Sequence, residues 1–188
     1  MHLLDPRLPS SLDGYLDTLL RGSRTDGWFT WLMVGFTIIG AGWSALLLVP
    51  VYAIKGARPF TRYLAGTWCV SAILVYGLKA LVRRPRPCTV GPPPLWGNAP
   101  TDYSFPSGHA AGAFTLAAFV AVTLLIDPKH RRRPLRWLVT LLLFVGAGWI
   151  ALSRVYIGVH YPTDVVGGAA IGSLAGVVGG RMFRRRHP

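Results

Sequence analysis

Three short clusters hold the residues able to do chemistry: Lys79 through Arg83 and Arg84 to Arg86-Pro87, then Pro106-Ser107-Gly108-His109, then Ser153-Arg154 followed by His160 and Asp164. The set suits a phosphate group. Lys79, Arg86 and Arg154 can neutralise a dianion, and an arginine can fork two oxygens at once. Ser107 and Gly108 stand where a helix is predicted to begin, so a hydroxyl and free backbone N–H groups face an anion. Gly108 also lets that anion approach the chain. His160, with Asp164 four residues on, reads as a nucleophile oriented by a carboxylate. His109 lacks an adjacent carboxylate and suits a general acid, its ordinary pKa being about 6.5. No Cys/His cluster has metal-ligand spacing, so the protein itself is expected to supply the charge stabilisation, with no metal and no cofactor.

Each residue also has a plainer reading. Lys79 could snorkel to headgroups, Arg83 and Arg84 could be interface residues or attract an anion, and Ser107 could be an ordinary helix cap. His109 could be a packed histidine, and Arg154 could mark a loop end. Taken singly, these readings do not explain why all the groups meet on one side of a membrane.

That membrane is implied by the composition. Lys and Arg total 20 against 7 acids in 188 residues, giving a net charge of +13, yet 52% of residues are hydrophobic. Disorder needs low hydrophobicity, and a soluble nucleic-acid binder needs a polar surface, so both are excluded. Cys69 and Cys88 are too few for a disulfide framework. The predicted fold is all-α, a polytopic bundle of five transmembrane helices over 28–54, 63–82, 109–126, 135–153 and 165–183. These form a single membrane-embedded domain over 28–188. Residues 1–27, with Leu12, Leu16, Leu19 and Leu20 interleaved by Asp13, Asp17 and Arg21, predict an amphipathic helix on the membrane surface or partly inserted in it. No secretory signal peptide is expected, since the apolar run begins late and is too long. In the last segment Gly168, Gly172, Gly176 and Gly180 form a smooth stripe, expected to pack internally rather than between copies.

Five crossings put the 83–108 and 154–164 loops on one side. The other side receives Lys55, Arg58, Arg62, Lys129, Arg131, Arg132, Arg133, Arg136, Arg181, Arg184, Arg185 and Arg186, which is 12 of the 20 cations. The positive-inside rule places those twelve in the cytoplasm, against anionic lipids, and the chemistry outside. No nucleic-acid partner is expected, because every basic cluster adjoins a membrane segment. The sequence specifies no oligomeric state.

The clusters resemble the signature of the type 2 phosphatidic acid phosphatase superfamily: Lys-x6-Arg-Pro, Pro-Ser-Gly-His and Ser-Arg-x5-His-x3-Asp. The matching positions are Lys79, Arg86, Pro87, Pro106, Ser107, Gly108, His109, Ser153, Arg154, His160 and Asp164, in the family's order. The resemblance implies a bundle of membrane helices, often six, and a metal-independent, vanadate-sensitive lipid phosphatase. It makes His160 the nucleophile that forms a phosphohistidine, supported by Asp164. His109 becomes the proton donor and then the base for water, while Lys79, Arg86, Ser107, Gly108 and Arg154 hold the phosphoryl oxygens. By the same analogy the substrate is a lipid phosphate at the outer face of a bacterial cytoplasmic membrane. Undecaprenyl diphosphate comes first, ahead of phosphatidylglycerophosphate, phosphatidate or lipid A. A rival class, an anion or lipid transporter, would need polar groups along several helices, and the third and fifth segments are apolar and small. The 88–105 loop, with Pro92, Pro93, Pro94 and Trp96, is expected to be stiff in places and able to gate headgroup access.

Overall fold

The computed structural model describes residues 13–16, 19, 27–125 and 134–187. Leu12, Asp17, Leu20 and Arg21 of the expected amphipathic segment, and Lys129 to Arg133 of the basic loop, lie outside these residues. Seven α-helices with known bounds follow in order: α1 (Trp28–Ile39), α2 (Leu48–Ala53), α3 (Arg58–Val82), α4 (Pro87–Val90), α5 (Gly108–Leu125), α6 (Pro134–Tyr156) and α7 (Pro162–Arg186). Among the described residues there is no strand. Four helices, α3, α5, α6 and α7, are long and apolar enough to cross a membrane.

The first expected crossing, 28–54, is not one helix. It breaks after Ile39 into a 3-10 helix over Gly42–Leu47 and the short α2, leaving α1 with 12 residues. Gly40 stands at the break, so close to α6 that a Cβ there would collide with Ile150. Farther on, the Pro50 ring forbids the backbone bond that would continue a regular helix through this stretch. Arg154 and Asp164, expected in a loop, instead lie in the last turn of α6 and the first turn of α7.

The α5–α7 pair forms the spine of the bundle. Gly168 faces the carbonyl of Ser107 just before α5, Gly172 and Gly176 face those of Ala111 and Thr115 within it, and Gly180 lies against Val122 and Phe119. A Cβ at any of the four would sit at or inside the closest approach that side chains tolerate. The stripe therefore packs internally, and backbones meet directly as small-residue faces allow. At the basic end, Phe60 meets Phe119 and Phe183 edge to face, Tyr63 meets Phe183 and His187 likewise, and Arg136 caps α5 by donating to Leu124 O at 2.8 Å. At the opposite end, Met33, Cys88, Tyr156, Ile157 and Val159 form a buried cluster with Phe29, Phe36 and Trp149 against it. This cluster fastens α1 and α4 to the α6–α7 turn, and so fixes the platform on which His160 stands.

Candidate active site

The C-terminal ends of α3 and α6 and the N-terminal ends of α5 and α7 meet at one end of the bundle. That up-down order gathers Lys79, Arg86, Ser107, Gly108, His109, Arg154, His160 and Asp164. Arg154, His160, Arg86 and Lys79 all lie within electrostatic reach of His109. His109 itself is half-buried, with Gly40 at its edge.

His160 is buried, and its two ring nitrogens have different company. Nε2 lies 3.1 Å from Arg86 Nη1, which can only donate, so Nε2 carries the lone pair. The proton then sits on Nδ1, 3.4 Å from Asp164 Oδ2 and 3.5 Å from Ser104 Oγ. Burial lowers the His160 pKa, the Asp164 hydrogen bond opposes this, and the nearby Arg86 and Arg154 charges add to the fall, leaving it at about 4. The ring is therefore neutral throughout the physiological range, its Nε2 lone pair accepting from Arg86.

Asp164 has no exposed surface and four neighbours to hold it. It accepts from Arg84 Nη1 at 2.7 Å, from the Ser104 hydroxyl, and from the Tyr161 N–H at 2.8 Å, and it faces His160. Its position as the third residue of α7 follows from the sequence Tyr161-Pro162-Thr163-Asp164: proline starts the helix and the acid caps it.

Arg84 is neither an interface residue nor a free attractor, contrary to both expectations. It is buried and forks between Asp164, Thr163 Oγ1 at 2.7 Å and Asp13 Oδ2 at 2.6 Å, while its plane stacks 4.1 Å from the Tyr161 ring centroid. Asp13 likewise departs from the expected polar face of a surface helix. It is fully buried and also accepts the Thr163 N–H at 3.1 Å, capping α7 a second time. Ser104 and Asp102 escaped the sequence reading because they sit in an irregular loop, whereas Asp13 was read only as part of an amphipathic surface helix. The only signal for Asp102 was scarcity, since the chain has seven acids.

The cations differ in how they are satisfied. Lys79 is buried, not snorkelling; its Nζ donates to Tyr103 O and pairs with Asp102 Oδ2 at 2.9 Å. Arg86 donates to Asp102 O and Val159 O at 2.8 Å each, to Asp102 Oδ1 at 2.7 Å, and to His160 Nε2. Arg154 is 7% exposed, and its Nε has no hydrogen-bond partner. Ser107 N–H is bonded to Asp164 O at 2.9 Å, which locks the start of α5 to α7. The N–H groups of Gly108 and His109 have no carbonyl of their own helix to bond, being in its first turn. Ser153 is structural: its hydroxyl donates to Ile150 O at 2.7 Å and accepts from Thr37 of α1 at 2.9 Å.

Buried cations, a helix N-terminus and a neutral imidazole backed by a carboxylate therefore meet at this end of the bundle. Residues 60–188 match the PAP2 superfamily. The chain belongs to that superfamily. A Bacillus subtilis protein named phosphatidylglycerophosphatase B is 33% identical over 160 residues, covering 78% of this chain and 71% of the relative. An undecaprenyl-diphosphatase of Sulfolobus acidocaldarius is 36% identical over 131 residues, covering 66% of this chain and 58% of the relative. The crystal structure of a transmembrane PAP2-type phosphatidylglycerolphosphate phosphatase from Bacillus subtilis superposes with a TM-score of 0.77 at 26% identity, covering all of this chain and 91% of that one. This PAP2 chain is thus a multi-pass membrane protein whose relatives bear the names of lipid phosphatases.

Proposed function

We propose that this chain is a membrane lipid phosphatase that works through a phosphohistidine. The observation that carries the reading is the arrangement around His160: an unprotonated Nε2 facing cations, with Nδ1 turned to a fixed carboxylate. In the first step Nε2 attacks phosphorus, the P–N bond forms and the bond to the lipid oxygen breaks, while His109 protonates that oxygen. In the second, His109 takes a proton from water, the hydroxide attacks phosphorus, and the P–N bond breaks to release phosphate and restore His160. Asp164 stabilises the charge that develops on the ring. Lys79, Arg86, Arg154, Ser107 and the first N–H groups of α5 hold the phosphoryl oxygens, whose charge grows in the transition state. Buried and lacking a partner at Nε, Arg154 is suited to that anion. The reading needs no metal, since three cations and a helix terminus supply the positive charge.

For the substrate we propose a polyprenyl diphosphate, cleaved to the monophosphate at the outer face of a bacterial cytoplasmic membrane, in line with the undecaprenyl-diphosphatase relative. A second reading, phosphatidylglycerophosphate, is favoured by the structural neighbour and the relative that carry its name.

The test is phosphate release by detergent-purified protein in EDTA, with undecaprenyl diphosphate, phosphatidylglycerophosphate, phosphatidate, lipid A and a water-soluble phosphate ester. Release from at least one lipid is expected, with His160→Ala reduced to background. Near-normal turnover by pure His160→Ala protein would remove the nucleophile assignment. The ranking of rates chooses the lipid, and failure of every lipid with folded protein would favour a binding or transport role.

A further inference from the structure

Asp102 stands among the groups proposed to hold phosphate, although it belongs to neither the signature nor a helix. Its two carboxylate oxygens are divided between two of those groups: Oδ2 takes Lys79 and Oδ1 takes Arg86. A phosphate offers such cations the same kind of contact, an anionic oxygen at hydrogen-bond distance.

The donor count of Arg86 makes the consequence concrete. Its Nε–H goes to Asp102 O, the two protons of Nη1 go to Val159 O and His160 Nε2, and Nη2 holds Asp102 Oδ1. One of five N–H donors is left. Lys79 is similar: of its three protons, one goes to Tyr103 O and one to Asp102. A bidentate grip on an incoming phosphate by Arg86 therefore needs one of these bonds to open, and Asp102 is the exposed partner among them.

Release is physically open. The Asp102 side chain is 45% exposed, unlike the two cations it joins. Beside it lies a cavity of about 450 Å³, bordered by Arg86, Thr89, Pro100, Thr101 and Asp102 itself. Burial raises the Asp102 pKa, but the Lys79 hydrogen bond and the Arg86 and Lys79 charges overcome this, so the carboxyl lies below its usual value and stays ionised.

We infer that Asp102 is an internal competitor for the phosphate subsite: its carboxylate occupies Lys79 and Arg86 between turnovers and exchanges with the phosphate of the substrate. The inference rests on the phosphatase reading above and deepens it by naming the residue that sets ground-state affinity for the anion. Asp102 offsets part of the charge of two buried cations while no substrate is bound, and it lowers the grip on product phosphate by offering the cations another anion. Because exchange weakens binding of any phosphate, removing the carboxylate tightens it. A residue that merely held Lys79 and Arg86 in place would have the opposite effect.

The experiment is a titration of the full-length, detergent-solubilised protein with inorganic phosphate. Binding is read by calorimetry, and competitive inhibition is read against the best lipid of the panel. Wild type is compared with Asp102→Asn and Asp102→Glu. Asp102→Asn is expected to bind phosphate about tenfold more tightly, which is about 1.4 kcal/mol, and to show a lower KM. Asp102→Glu, which keeps the charge, is expected to stay near wild type. Equal or weaker phosphate binding by Asp102→Asn, with wild type binding normally, overturns the competitor role while the phosphatase reading stands. Failure of all three proteins to bind phosphate or release it from any lipid overturns both. A second variant, Asp102→Ser, guards against misfolding of the first, since it too removes the carboxylate and is expected to tighten phosphate binding.

Discussion

The guanidinium of Arg84 faces Asp164, Thr163 and Asp13 rather than the cations proposed to hold phosphate, so its effect on chemistry passes through another residue. Buried ion pairs of this sort add little net stability, but breaking one strands a buried charge and costs about 3–5 kcal/mol. Arg84→Ala would therefore confuse folding with function. Arg84→Lys keeps the charge while losing the planar fork that reaches two carboxylates at once. Its kcat is expected to fall by about 10- to 100-fold with KM changed by less than about twofold, since orientation of His160 matters mainly in the transition state. Steady-state kinetics on the preferred lipid check this; a raised KM at unchanged kcat would mean that Arg84 contacts the substrate instead. At this scale the sequence was most informative where residue types repeat a spacing, as in His160 and Asp164. It was silent on Ser104 and Asp102, and it read Asp13 only as the polar face of a helix, because their partners lie far off in the chain. Arg84 was visible but misjudged: a basic residue beside a membrane segment has a default explanation, and only the fold shows two acids waiting for it.

Helices α5 and α7 carry both ends of the proposed chemistry, Ser107 to His109 on one and Asp164 on the other, so their separation sets the site's geometry. Glycine sets that separation. At Gly172 a Cβ would run into Ala111 carbonyl and Cα atoms, which are backbone and cannot rotate away. Overpacking a core usually costs about 1–3 kcal/mol, and the rigid neighbour places this case at the upper end. Gly172→Ala is expected to lower the Tm in detergent and to reduce activity more than the loss of folded protein explains. Gly77→Ala is the control: nothing lies within 4 Å of a Cβ there, and alanine suits a helix better. Equal behaviour of the two variants would mean that the spine does not rest on close backbone approach. The four long helices were legible because hydropathy and length suffice for a crossing. The 28–54 stretch misled for the same reason, since averaged hydropathy does not register Gly40 fitted under Ile150 or a proline at position 50.

Among the described residues, one end of the bundle holds most of the exposed basic side chains. Arg58, Arg62, Arg136, Arg181 and Arg184 to Arg186 lie at the end of the bundle opposite His160, while Lys79, Arg86 and Arg154 are buried at the other end, in the proposed site. Charge near helix ends sets orientation, so the basic end is expected in the cytoplasm and the site outside. Two positions test this directly. Asn98 is exposed on the loop at the site end, and Arg185 is exposed at the basic end. Cys88 is buried but Cys69 is exposed, so a Cys69→Ser background is needed before a thiol reagent can be read. In that background, Asn98→Cys is expected to react with a membrane-impermeant maleimide on intact cells, and Arg185→Cys only after permeabilisation. The reverse pattern would put His160 on the cytoplasmic side. A substrate would then have to present its phosphate to that leaflet, and recycling of a polyprenyl carrier at the outer face would no longer fit, whereas hydrolysis of a phospholipid intermediate made on the inside would.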